Sequence, residues 1–185
     1  MPLGHVTRLM SADMTLLAVS AIGADRPGIV AAVTKVLVDV GCNLEDTSMT
    51  ILRGHFSMML VVTGPTSAAA LEGALRPAAE SLELLVTVRE ISAEPDVATG
   101  LPYVISIHGA DHPGIVHRVA QMLAEHGVNI TDLSTRLLSG GVYAMVLEVD
   151  VPESVDLIVF TDAVQAVAAE LDVAATMHAS DADIL

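Results

Sequence analysis

The 185-residue sequence predicts an α+β protein made of two tandem βαββαβ units. Three observations predict it. The octapeptide Gly23-Ala24-Asp25-Arg26-Pro27-Gly28-Ile29-Val30 recurs as Gly109-Ala110-Asp111-His112-Pro113-Gly114-Ile115-Val116. The same shift of 86 residues pairs Val33 with Val119, Leu37 with Leu123, Gly41 with Gly127, Asn43 with Asn129, Asp46 with Asp132, Ser48 with Ser134, Gly54 with Gly140 and Met59 with Met145. Agreement at turns and caps as well as at core positions marks a duplication, and the shift is expected to hold without a gap through the third strand. Finally, each copy carries the same order of apolar periodicities: strand, helix, strand, strand, helix, strand. The organisation follows as a lead-in over 1–13, a first unit over 14–91, a linker over 92–100, a second unit over 101–179 and a tail over 180–185.

Each element has its own warrant. The short apolar run 16–22 predicts a strand buried on both faces or nearly so. Proline at position 27 predicts a helix that begins there, because its fixed φ suits the first helical position. Ile29, Val33, Val36, Leu37 and Val40 recur at spacings of three and four, and Gly41 ends the helix. A strand over 43–52, the tight turn Arg53-Gly54 and a returning strand over 55–63 make a hairpin. Thr66 or Ser67 caps a helix over 68–81, which Pro77 is expected to kink or end early. A strand over 82–91 closes the unit. The second copy repeats the order with strands at 103–108, 129–138, 142–151 and 173–178, helices at 113–126 and 154–171, and Ser139-Gly140-Gly141 as the hairpin turn. A repeated split βαβ is the ferredoxin-like arrangement, a four-stranded antiparallel sheet with two helices on one face. Two such units in one chain can pair their open faces or edges, and a remaining edge would join chains into a homodimer.

Composition excludes several functions. Twenty-three acidic residues against eight basic ones give a net charge of −15, and the chain has two Phe, two Tyr and no Trp. That leaves neither a cationic stripe for phosphates nor a stacking platform for bases, so direct nucleic-acid binding is not expected. No long uncharged apolar run predicts a membrane span, and the N-terminal stretch lacks the pattern of a cleaved signal, which points to a cytoplasmic protein. The single Cys42, between Gly41 and Asn43, has size as a sufficient reason to be there. His112 and His117 lack the spacing that puts two ligands on one helix face, and His108 and His126 complete no cluster, so no metal is expected. No nucleophile–base set is present; neither catalysis nor a cofactor is predicted.

The repeated Asp-x-Pro-Gly after strand one, with Gly-x-Asn opening strand two, resembles the ACT domain, a small amino-acid-sensing regulatory module. The longer stretches Gly-Ala-Asp-Arg-Pro-Gly-Ile-Val and Gly-Cys-Asn-Leu-Glu-Asp look like the glycine cleavage system transcriptional repressor family. That resemblance implies a non-enzymatic protein that binds a small effector, an amino acid such as glycine, and modulates a separate transcription regulator. It further implies ligand contacts from Asp25, Arg26, Pro27, Gly28, Ile29 and Asn43, and from Asp111, His112, Pro113, Gly114, Ile115 and Asn129, with the asparagine supplied by the same or a facing unit. Helix N–H groups near the glycine would hold a carboxylate, and the aspartate would accept from an ammonium. Plainer roles exist: helix initiation for the Pro-Gly pair, turn stabilisation for Asp and a local turn bond for Asn. Some amino-acid-binding members carry a histidine where this chain has Gly23 and Gly109. A detached regulatory subunit of a biosynthetic enzyme, or a dimerisation module with vestigial sites, are the competing readings. If φ at Gly28 and Gly114 is negative, alanine there is expected to keep or raise stability while obstructing the ligand.

Overall fold

The computed structural model describes residues 14–92, 100–138 and 140–180. The lead-in, most of the linker, Ser139 and most of the tail lie outside them. The chain forms two compact units, residues 1–95 and 96–185.

The first unit runs β1 (Thr15–Ala24), α1 (Ile29–Asp39), β2 (Asn43–Leu52), β3 (His55–Gly64), α2 (Ala68–Leu82) and β4 (Leu85–Glu90). Its sheet has the order β2-β3-β1-β4 with every neighbouring pair antiparallel. Alternate residues therefore share a face. Leu17, Val19 and Ala21 of β1 and Phe56, Met58, Leu60 and Val62 of β3 point to the helices. Ile29, Val33 and Leu37 of α1 and Leu71, Leu75 and Ala79 of α2 meet them and complete the core. Strand β1 is thus buried mainly on one face, not on both, since Ile22 on the other face is half exposed. The second unit repeats the arrangement as β5 (Leu101–Ala110), α3 (Ile115–Glu125), β6 (Asn129–Leu137), β7 (Val142–Val151), α4 (Leu157–Glu170) and β8 (Val173–Ala179), ordered β6-β7-β5-β8. Among the described residues no buried side chain is polar or charged. Polar groups available for chemistry therefore lie at the surface.

Several expectations are corrected here. Helix α1 starts at Ile29, two residues after Pro27, because Gly28 has φ 95° and ψ −8°. Those angles are those of the third residue of a type II turn, with Pro27 in the preceding position that proline favours. Gly114, at φ 101° and ψ −11°, repeats this before α3. Helix α2 continues through Pro77 to Leu82. The proline forgoes one helical bond, to the carbonyl of residue 73, while burial of Leu75 before it and Ala79 after it holds the helix on the sheet. Glu83 then caps α2 in the left-handed region, so β4 starts later than position 82. Helix α4 starts at Leu157 rather than at 154, with Asp156 as its cap.

The 86-residue shift also fails at the third strand. In the sheet, Gly23 faces Phe56 whereas Gly109 faces Tyr143, so β3 and β7 correspond with a shift of 87. The first hairpin turns on two residues, Arg53 and Gly54, both at positive φ, and the second hairpin is one residue longer. Met145, 1% exposed, therefore matches Met58, at 3%, while Met59 is 52% exposed on the opposite face.

Candidate functional site

The repeated turn lies where β1 or β5 hands over to its helix. In each unit the second helix is capped by a side chain and the first is not. Ser67 Oγ accepts from the Ala70 N–H at 3.3 Å, and Asp156 Oδ1 accepts from Ile158 and Val159 at 2.9 and 3.3 Å. Neither Gly28 nor Gly114 provides any such bond. The first helical bonds there are Ala32 N–H to Gly28 O and Arg118 N–H to Gly114 O, both 2.9 Å. The N–H groups of Ile29 to Ala31 and of Ile115 to His117 precede those bonds and have no acceptor within the helix. A Cβ built on Gly28 or Gly114 would meet nothing within 4 Å. Glycine is there for its positive φ, since nothing crowds the position its Cβ would take.

The turn is fastened on both sides. Asp25 N–H donates to Gly54 O at 2.9 Å, which ties it to the β2–β3 hairpin. Arg26 Nη2 pairs with Glu83 Oε2 at 2.6 Å, reaching the end of α2. In the second unit His112 takes the place of Arg26: its Nε2 lies 2.8 Å from Leu171 O at the end of α4, and its Nδ1 lies 3.2 Å from Pro113 O. The guanidinium and the imidazole are thus both engaged within the protein, while Asp25 and Asp111 are exposed. Pro27 and Pro113 shape the turn, and Ile29 and Ile115 are buried beneath it.

Asn43 and Asn129 are not part of that turn within their own unit. Asn43 pairs with Thr63 at one end of the sheet, while the turn sits beside His55 at the other end. The intervening strand separates them by roughly 27 Å. No single unit brings the two together. The glycines at 23 and 109 have a packing reason: a Cβ at Gly23 would sit 2.7 Å from Leu84 Cδ2 and 2.9 Å from Glu83 O, and one at Gly109 would sit 2.7 Å from Val173 Cγ1. A side chain such as histidine at either position would force the neighbouring segment to shift.

The second unit adds features that sequence reasoning missed. Asp111, His112, Gly114, Ile115, Val116, His117 and Tyr143 line an open hollow of about 400 Å³. With the shift of 87 in the third strand, Tyr143 stands where the first unit has buried Phe56, and with the shift of 86 before it, His117 stands where it has Ala31. Burial pushes the Tyr143 phenol up, against a lowering bond with Thr135. The extra residue in the Ser-Gly-Gly hairpin, set against the alternation of β7, was the signal that could have found it. The other histidines are accounted for: His108 lies exposed on the sheet face away from the helices, and His126 bonds Met122 O at 2.9 Å and packs on Phe160. Cys42 packs against Gly64, where a Cβ would collide with its Sγ, and burial raises its thiol. Among the described residues no three His, Cys, Asp or Glu side chains gather as a metal site, and no helix is long and apolar enough to cross a membrane.

Residues 15–89 and 103–171 each match a family model of the ACT domain. The chain is 31% identical over 121 residues to the glycine cleavage system transcriptional repressor of Escherichia coli, an alignment spanning 65% of this chain and 64% of that protein. It is 42% identical over 79 residues to a UPF0237 protein of Methanopyrus kandleri, covering 41% of this chain and 88% of that one. A solved structure of an unknown protein from Galdieria sulphuraria superposes with a TM-score of 0.78 at 26% identity, over 91% of this chain and 99% of the other.

Proposed function

The chain belongs to the ACT-domain family, carrying the domain twice, and from that membership we propose a regulatory protein that binds a small effector, an amino acid such as glycine, at the repeated turn. The observation that carries this is the unequal capping of the helices. Each unit caps one helix with a side chain and leaves the first N–H groups of the other, behind Asp-x-Pro-Gly, without a side-chain acceptor. Such an end attracts a carboxylate through its N–H groups and the positive end of the helix dipole. The exposed Asp25 or Asp111 stands close by in sequence to accept from the ammonium of the same molecule. The reading is non-enzymatic.

The effector state would be passed on to a protein partner, a transcription regulator, as the name of the Escherichia coli relative suggests. A net charge of −15 opposes approach to DNA by this chain itself. Calorimetry of the purified chain against glycine and the other amino acids tests the first half. Saturable binding of an amino acid, weakened by changes at Gly28 or Gly114, supports it; no heat from any of the twenty refutes it. Affinity capture with and without the bound amino acid tests the second half. An enzyme subunit recovered in place of a transcription regulator would favour the competing role in biosynthetic feedback.

A further inference from the structure

We propose that His112 is a proton-operated clasp on the turn of the second unit, closed when the imidazole is charged and opened when it is neutral. The first unit has no counterpart. Both ring nitrogens of His112 face carbonyl oxygens, Leu171 O at 2.8 Å from Nε2 and Pro113 O at 3.2 Å from Nδ1. A carbonyl only accepts, so holding both contacts requires an N–H on each nitrogen, and only the imidazolium has two. The neutral ring keeps one bond at most and turns a lone pair towards the other carbonyl.

The surroundings favour the cation as well. Leu171 is the last residue of the α4 turn, where helix carbonyls concentrate partial negative charge. Asp111 on the same turn and Asp172 just after α4 both act to raise the histidine pKa. The other titratable groups at this hollow are His117 of α3 and Tyr143 of β7, while Glu170 of α4 is paired with Arg118 at 3.0 Å. The pKa of His112 is accordingly held above its ordinary 6.5, first by the Leu171 bond, then by the Pro113 bond, against a smaller lowering by desolvation. With the folded value raised, the clasp is fully present below about 6.5 and is lost as pH rises through that raised value. At the same place in the first unit stands Arg26, a guanidinium in place of the imidazole, paired with Glu83. The two turns are therefore the same in backbone and different in control. The consequence for ligand affinity rests on the turn being the effector site; the clasp itself does not.

The full chain without ligand provides the test, by NMR titration from pH 5.5 to 8.5. The His112 ring proton should titrate above about 6.5, and the Gly114 amide should move with the same midpoint while the Gly28 amide shows no such transition. H112Q should abolish the Gly114 transition. H112R, which restores the cation found at position 26, should abolish it too and leave the amide near its low-pH position. A His112 midpoint at or below the ordinary value, or a Gly114 transition that survives in H112Q, overturns the proposal. Glycine is then titrated calorimetrically at pH 6 and 8.5. Absence of glycine binding at both would count against the effector reading alone, since the ligand-free spectra judge the clasp independently.

Discussion

Alanine at Gly28 or Gly114 is the substitution on which the backbone geometry makes its firmest demand. At φ 95° and 101° an L-residue is in a region that its Cβ disfavours. No neighbouring atom lies within 4 Å of the added methyl group, so no clash contributes and the whole cost is conformational. That cost is about 1–2 kcal/mol. For a unit of this size, at 4–8 °C per kcal/mol, the transition should fall by roughly 5–15 °C. This reverses the stabilisation expected had φ been negative. Asparagine tolerates the left-handed region better, so Gly28→Asn and Gly114→Asn should lose less stability than the alanines. If the effector rests against the turn, either replacement sets a side chain beside it, and each should weaken glycine tenfold or more, about 1.4 kcal/mol. Thermal melts followed by circular dichroism and calorimetric titration provide the two readouts. An unchanged or raised transition in the alanine variants would refute the turn geometry. Asparagine variants that fold and bind glycine like wild type would remove the turn from the effector site.

Three further outcomes are expected. Pro77→Ala should stabilise the first unit, since it restores a helical N–H inside α2; the gain, up to about 3 kcal/mol, is reduced by about 0.4–1 kcal/mol of added unfolded-state entropy, and a lowered denaturation midpoint would contradict this. Phe56→Ala, at a site 2% exposed, should cost about 3–5 kcal/mol, whereas Tyr143→Ala at the equivalent half-buried position should cost less in urea unfolding. With a charge of −15, the chain alone should not retard duplex DNA in a gel at physiological salt, and a specific, salt-sensitive shift without a partner would contradict that.

Much of the fold was legible because its determinants are local and were written twice. The alternation of β3, the spacing of Ile29, Val33 and Leu37, and glycine at 41 and 127 each specify an element without reference to distant residues. Ser67 was readable as a cap for the same reason. Pro-Gly was not, because the pair serves equally as a helix start and as the centre of a type II turn, and only the sign of φ separates them. The continuation of α2 past Pro77 depends on burial of Leu71, Leu75 and Ala79 in a core built with distant residues, which no window on the helix contains. The fastenings of the turn are likewise tertiary, with Arg26 and Glu83 separated by 57 positions and His112 and Leu171 by 59. Identical spacing over two strands hid the extra hairpin residue, and with it the match of Tyr143 to Phe56.

Strands β2 and β6 lie at the outer edges of their sheets, ten and nine residues long, and each carries a register irregularity at the same point, between Leu44 and Asp46 and between Ile130 and Asp132. An edge strand is a template: its unpaired backbone groups can recruit an identical strand from another copy. A bulge twists a strand out of the flat template that a foreign strand needs, and a carboxylate beside it repels an identical neighbour. Asp46 and Asp132 with their bulges therefore make β2 and β6 poor templates, each within its own sheet.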